Sequence, residues 1–270
     1  MDIQKSINYI RKHGSNLEKA RLSTIIWDKK PSPEVLEELA SIQNPDGGFS
    51  YWVKNVSNIT DTCYILEWFD DLKLYRGEVI DKACHFLLDR QQKDGGWDEV
   101  IEIKPYNPPK WMLPGLIETR TWLTAYCAHV LIRFGYAEAE GTYCPTDFLL
   151  ANSDSSGRLK GYLRATWLAL PMFAFYPGPD PQSFNLLINV ILDNFSPDWK
   201  GSYIAWLVHC LYDSGLPSDH QLVLQALSEL KKKQKIDGSW DPEEGEGEGH
   251  RVNATILALR ALKVYRVFKL

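Results

Sequence analysis

The 270-residue chain lacks the marks of several large classes of protein. No apolar run approaches the roughly 20 residues that a membrane-spanning helix needs. The opening Met1-Asp2-Ile3-Gln4-Lys5 has no apolar core of a secretory leader, so the expected location is the cytosol. Basic residues are not in excess: 30 Lys and Arg stand against 35 Asp and Glu, for a formal net charge of -5. A nucleic-acid partner, which would call for a basic face, is therefore not expected. The cysteines, Cys63, Cys84, Cys127, Cys144 and Cys210, are odd in number and scattered, and read as reduced thiols instead of a disulfide framework. Strand-like alternation is nearly missing as well.

Aromatic residues are abundant, with ten Trp and thirteen Tyr. The remaining composition, 44% hydrophobic and 24% charged, is that of an ordinary soluble chain long enough for one large domain or two small ones. Such a chain has something apolar to hold.

An internal repeat organises the sequence. Gln43-Asn-Pro-Asp-Gly-Gly-Phe49, Gln92-Lys-Asp-Gly-Gly-Trp97 and Gln234-Lys-Ile-Asp-Gly-Ser-Trp240 share one pattern, each after a helix-like stretch and each followed by a loop and a second apolar stretch. The unit is helix, Asp-Gly turn, loop, helix, with glycines suited to positive φ. Asn152-Ser-Asp-Ser-Ser-Gly157 and Phe195-Ser-Pro-Asp-Trp199 stand where decayed copies belong. The second helices are more apolar, over Ile59–Phe69, Glu118–Phe134, Tyr162–Phe175, Ser202–Tyr212 and Arg251–Phe268; a first pair, Ile3–Lys12 and Leu17–Trp27, completes six hairpins. Helices apolar all round are buried, and amphipathic ones such as Ile3–Lys12 and Leu222–Lys233 suit an outer layer. Six inner helices ringed by six outer ones make an α/α barrel, so the expectation is one all-α domain over residues 1–270.

The recurring Gln…Gly-x-Trp turn resembles the QW motif of the terpene cyclase and protein prenyltransferase superfamily, over essentially the whole chain. The resemblance implies the same α/α barrel, enclosing an isoprenoid in an aromatic-lined cavity. A squalene-type cyclase uses two such barrels, so this chain resembles a class II cyclase β-domain standing alone, of the monodomain meroterpenoid cyclase kind. Class II cyclases carry Asp-x-Asp-Asp-Thr at the start of an inner helix, and the middle Asp protonates an alkene. Aligned on Asp61-Thr62, this chain reads Asn58-Ile59-Thr60-Asp61-Thr62: Asn58 replaces the first Asp, Thr60 the usual acid, and Asp61 alone survives. Prenyltransferases carry Asp-x-Cys-Tyr there with zinc on the Asp and Cys, matched by Asp61-Thr62-Cys63-Tyr64. Their third ligand is a His, which is missing from Glu118-Thr119-Arg120-Thr121 and Gly161-Tyr162-Leu163-Arg164, while His250 opens a helix two places round. A tetrahedral zinc site is poorly served, and no metal or organic cofactor is expected.

The chemistry needs an acid that stays neutral near pH 7. Burial raises an Asp above its model value of about 3.9, while a helix N-terminus stabilises the carboxylate left after the proton has gone. Asp61 meets both conditions as the candidate acid, with Asn58 and Cys63 near enough in sequence to orient it; the plainer reading is a helix cap shared with Thr60. Glu118, opening the third inner helix, is the candidate terminal base, alternative acid or proton-sharing partner, or simply a first-turn Glu. His250 is a candidate base or supporting donor, or a solvated loop residue.

Tyr64, Trp68, Trp122, Trp167, Tyr203 and Trp206 are candidates for a cation-stabilising wall, or plain core. Tyr126 and Phe173 lie on the same helices. Arg120, Arg164 and Arg251 open inner helices and either converge on a substrate carboxylate or diphosphate, or pair with Glu118 and the acidic loop. Asp241–Glu248 reads as a solvated loop or lid. Pro105-Tyr-Asn-Pro-Pro-Lys-Trp111 reads as a cover that excludes water. Asp70-Asp71 sits at the wrong end of its helix for a diphosphate site.

The expected function is protonation-initiated cyclisation of a polyprenyl chain, with a prenylated aromatic acid as the substrate class. The alternatives are a zinc-dependent prenyltransferase β-type subunit and a non-catalytic isoprenoid-binding barrel. The expected partner is the polyprenyl small molecule, with an apolar entrance that would bring the protein to a lipid surface as a peripheral visitor.

Overall fold

The computed structural model describes residues 1–139, 143–176, 182–243 and 246–269. The described residues are all-α apart from short 3-10 turns and isolated β-bridges, with no strand among them. In chain order the helices are α1 (Ile3–His13), α2 (Asn16–Trp27), α3 (Pro33–Ser41), α4 (Ile59–Asp71), α5 (Glu78–Leu88), α6 (Ile117–Phe134), α7 (Pro145–Ala151), α8 (Leu163–Phe175), α9 (Ser183–Asn194), α10 (Gly201–Asp213), α11 (Gln221–Lys232) and α12 (Arg251–Val264). No described helix is long and apolar enough to cross a membrane. The all-α expectation holds, and the helices match the six hairpins to within a few residues.

The chain forms two compact units: Met1–Leu36 with Asn194–Leu270, and Glu37–Asp193. In the first, α12 packs on α1, α2 and α10, and α10 on α11. Its core joins Ile7 and Ile10 of α1, Leu22 and Ile26 of α2, and Ile256 and Leu259 of α12. In the second, α6 is the hub, packed on α4, α5, α7 and α8. The two helix types separate as the apolar pattern dictates. α8 buries every residue from Ala165 to Phe173, whereas α1 buries only Ser6, Ile7 and Ile10.

The recurring turn is a wedge between helices. Asp46, Asp94 and Asp237 each accept the backbone N–H two residues on, at 3.1, 3.0 and 3.0 Å, closing an Asx turn. The next aromatic is then pinned, once for Phe49 and twice for each Trp. The N–H groups of Phe49, Trp97 and Trp240 donate to the hydroxyls of Thr62, Thr124 and Thr255, and the indoles of Trp97 and Trp240 donate to Leu87 and Leu230 carbonyls at 2.7 Å. Gly47, Gly95 and Gly238 have φ of +88°, +85° and +92°, and a Cβ would lie 2.6, 2.4 and 2.5 Å from backbone atoms of Lys82, Cys144 and Lys5. Only glycine supplies both the left-handed backbone and the close approach.

The glutamine of each turn reaches the start of another helix. Gln43 donates to Val79 O and Gln234 to Asp2 O, at 2.7 and 2.8 Å. In the middle turn this role belongs to Gln91, not to Gln92: Gln91 donates to Gly95 O and Tyr143 O and accepts from Tyr143 N. The constant feature is the four-residue step from the glutamine to the glycine carbonyl, and two adjacent glutamines hide it in the sequence.

The decayed copy at 153–159 keeps the frame. Gly157 has φ +86°, Asp154 accepts from Ser156 and Arg158, and buried Leu159 takes the place of the aromatic. The last helix ends at Val264 instead of Phe268. Arg266 adopts φ +55°, and Val267 N–H closes on Leu262 O, a helix-terminating arrangement.

Candidate active site

The first turn of α4 buries a run of polar side chains: Asn58, Thr60, Asp61 and Thr62. Asn58 is the N-cap: its side-chain carbonyl accepts Asp61 N–H at 2.8 Å. Neither Thr60 nor the Asp61 carboxyl caps this helix. The Asp61 carboxyl turns instead to the preceding loop, where Oδ2 accepts the backbone N–H of Tyr51 at 2.6 Å, of Trp52 at 3.0 Å and of Val53 at 3.3 Å. A fourth donor, the Asn58 amide, reaches the same oxygen at 2.6 Å. Three consecutive amides converging on one atom form an anion nest.

The other oxygen, Oδ1, is buried and has no hydrogen-bond partner among the described residues. Burial pushes the Asp61 carboxyl above its usual range, while the Asn58 amide and the three N–H groups pull it back.

The loop that builds the nest also joins an aromatic cluster. Tyr51 packs edge-on to Trp68 and tilted on Tyr64, each with centroids 5.3 Å apart, and Trp52 lies 5.9 Å from Tyr64. Tyr64 and Trp68 follow Asp61 by three and seven residues, so they share its face of α4. On α6, Trp122 stacks on Tyr126 at 4.9 Å and meets Trp111 edge-on at 6.1 Å. The segment carrying Trp111 begins with a 3-10 turn over Ile101–Tyr106 and buries Ile103 and Met112 against Val53.

A second carboxylate, Glu99, serves the same turn. Glu99 Oε1 accepts the N–H of Ile59 at 2.7 Å and of Val100 at 3.0 Å; Oε2 accepts Thr60 N–H at 3.0 Å and Thr60 Oγ1–H at 2.6 Å. Burial pushes its carboxyl up, against the pull of these donors. Glu99 stands two residues after Trp97, forty residues from its partners. No sequence pattern here marked it.

The other candidates fall in several places. Arg120 donates to Gln92 Oε1 and Asp94 Oδ2, both at 2.7 Å, and lies 4.6 Å over the Phe148 ring. It ties the middle turn to α6, a partner different from Glu118. Asp94 is pushed up by burial, yet Arg120 and Gly96 N–H bring it below its usual range. Arg164 lies over the Trp122 ring at 5.6 Å. Glu118 abuts Gly161, where a Cβ would be 2.7 Å from its Cα. Trp167 is fully buried in α8. Asp70 pairs with Arg133 at 2.5 Å across the far ends of α4 and α6.

Cys63 and Cys127 face each other at 3.7 Å in the core, their thiols driven up by burial. Among the described residues no group of three His, Cys, Asp or Glu could hold a metal ion.

Tyr203, Trp206, His250 and Arg251 belong to the first unit. Tyr203 packs edge-on to Trp199, and Trp206 lies one turn further along α10. His250 closes a 3-10 turn before α12 through its N–H to Gly247 O. Arg251 donates to Glu248 and, at 3.3 Å, to Asp241, so it holds the acidic loop. Glu244 and Gly245 of that loop lie outside the described residues.

No family model and no curated protein sequence matches the chain. Solved structures do. A protein from Actinoplanes is similar at a TM-score of 0.66 and 14% identity, covering 97% of this chain and 98% of that one. The type II terpene cyclase MstE from Scytonema is similar at a TM-score of 0.62 and 18% identity, covering 93% of this chain and 87% of the cyclase. Variants of MstE hold geranylgeranyl dihydroxybenzoate as substrate and merosterolic acid A as product. Part of native alpha-2-macroglobulin from Escherichia coli is similar at a TM-score of 0.56 and 15% identity, covering 97% of this chain and 42% of that chain. At these identities the likeness is one of fold: the chain shares the α/α-barrel fold of the type II terpene cyclases.

Proposed function

We propose that this chain is a class II terpene cyclase, which protonates and cyclises a polyprenyl chain carried on an aromatic acid, with Asp61 as the acid. The observation that carries the reading is the asymmetry of the Asp61 carboxyl. Four donors occupy Oδ2 and none occupies Oδ1. A proton on this carboxyl therefore resides on Oδ1. Burial keeps it there at rest, and the nest stabilises the charge that develops on Oδ2 as the proton leaves. An acid that is neutral yet backed by preorganised donors is what protonation of an alkene demands. The substrate class is supported by the ligands of MstE.

In the step itself the Asp61 O–H bond breaks and a C–H bond forms at the terminal alkene, leaving a tertiary cation. Neighbouring alkenes close carbon–carbon bonds in turn, and a final C–H bond gives its proton to a base or water. Tyr64 and Trp68 are the proposed ring faces for the cation, each worth about 0.5–2 kcal/mol. Glu118 is the proposed terminal base. Arg164, anchored on Trp122, is the proposed partner for the substrate's acid head. The fold supplies proximity by holding the chain prefolded.

The test is incubation with geranylgeranyl dihydroxybenzoate in EDTA, followed by chromatography with mass detection. Cyclisation is an isomerisation, so the product has unchanged mass and shifted retention. The proposal expects this product from the wild type and none from Asp61→Asn. Loss under EDTA points to a metal-dependent transferase, and no turnover by the wild type points to a binding protein.

A further inference from the structure

Asp61 and Glu99 are two buried carboxyls that meet the same helical turn with opposite bonding patterns. Every oxygen of Glu99 is taken: Oε1 accepts two N–H groups, and Oε2 accepts an N–H and a hydroxyl. That pattern suits a carboxylate, because no site is left for a proton without displacing a donor. Asp61 has all its donors on one oxygen and a bare second one, which leaves Oδ1 open to a proton. Glu99 also sits on the N–H groups of Ile59 and Thr60, the positive end of α4.

We propose that Glu99 is a positioning residue for the acid: its carboxylate neutralises the positive end of α4 and leaves the proton on Asp61. The inference rests on Asp61 being the acid of the proposed function. A helix N-terminus alone would pull an N3 carboxyl toward ionisation. A negative charge already bound there opposes the pull, since it occupies the same N–H groups and disfavours a second charge at that turn. The other ionisable groups on the elements around this turn are Tyr51 and Lys54 of the loop, Asp98 beside Glu99, Cys63, Tyr64, Glu67, Asp70 and Asp71 on α4, and Glu118, Arg120, Tyr126, Cys127, His129 and Arg133 on α6. The two thiols and Tyr126 are held neutral by burial.

The experiment is infrared spectroscopy of the intact protein at neutral pH, read at the protonated-carboxyl stretch. The Asp61 band is identified as the one missing from Asp61→Asn. Expected is a band in the wild type that weakens or vanishes in Glu99→Gln, because the neutral amide no longer opposes ionisation of Asp61. Turnover of geranylgeranyl dihydroxybenzoate should fall about tenfold in kcat at nearly constant KM, matching a shift of roughly one pKa unit.

An unchanged band in a folded Glu99→Gln protein overturns the proposal and leaves Glu99 a structural cap. If Glu99→Gln does not fold, Thr60→Val decides. It removes one donor that holds the charge on Oε2, and should weaken the band in the same direction; no change there overturns the proposal too. The band is read without substrate. Inactivity of the wild type would therefore strike the cyclase reading while the Asp61–Glu99 relation is still measured.

Discussion

Asn58 and Asp61 bond to each other in both directions: the Asn58 side-chain carbonyl accepts Asp61 N–H at 2.8 Å, and its amide donates to Asp61 Oδ2 at 2.6 Å. One residue thus starts α4 and aims the carboxyl into the loop. Asn58→Ala should cost about 1 kcal/mol of stability from the lost cap. It should also cut turnover roughly tenfold or more by removing one of four donors to the departing charge. Thermal melts and single-turnover product yields check the two effects separately.

The middle turn offers a test of register. The Gln91 side chain makes three hydrogen bonds, one to Gly95 within the turn and two to Tyr143 just before α7, whereas that of Gln92 accepts one from Arg120. Gln91→Ala should destabilise by about 1–3 kcal/mol, and Gln92→Ala by under about 1 kcal/mol. Chemical denaturation of both variants measures the difference, and equal losses would refute the assignment.

Gly95→Ala should be worse than either. The added Cβ would lie 2.4 Å from Cys144 O in a backbone with φ +85°. The left-handed strain alone is about 1–2 kcal/mol, and the clash with backbone adds to it. A fall in melting temperature larger than that of Gln91→Ala is the expected outcome.

These turns were legible in the sequence because they are written in residue types with few substitutes: a glycine for positive φ, an aspartate for the Asx turn, a large aromatic for the wedge. The helices were legible from their apolar stripes. The site was less so. Asp61 stood out by its neighbours, but its nest is made of the backbone N–H groups of Tyr51, Trp52 and Val53, which any residue carries. Glu99 was silent because its partners lie forty residues away. Arg120 and Arg251 open their helices, which left a substrate clamp and an ion pair equally open; Arg120 holds Asp94 and Arg251 the acidic loop.

The raised pKa of Asp61 makes a prediction about stability and pH. A carboxyl whose folded pKa lies above its unfolded value contributes stability that is full below the unfolded pKa and is lost as pH rises through the folded pKa. Asp61→Asn mimics the neutral acid and cannot ionise. Its melting temperature should match the wild type in acid and exceed it increasingly as pH rises above the ordinary carboxylate range. Glu99 is common to both proteins, so the difference isolates Asp61. Parallel melting curves over pH would contradict the assignment of a protonated Asp61.

Catalysis by the same group follows the same sign, since only the protonated form delivers a proton to carbon. Cyclisation in heavy water tests this most directly. The deuteron on Asp61 Oδ1 would pass to the substrate's terminal alkene, and the cascade would end by losing a hydrogen from a different carbon. The expected product is one mass unit heavier than the substrate, labelled at the hydrogen-bearing carbon of the terminal alkene, and formed by the wild type and not by Asp61→Asn. A cyclised product without solvent deuterium at that carbon, or one formed equally by Asp61→Asn, would contradict it.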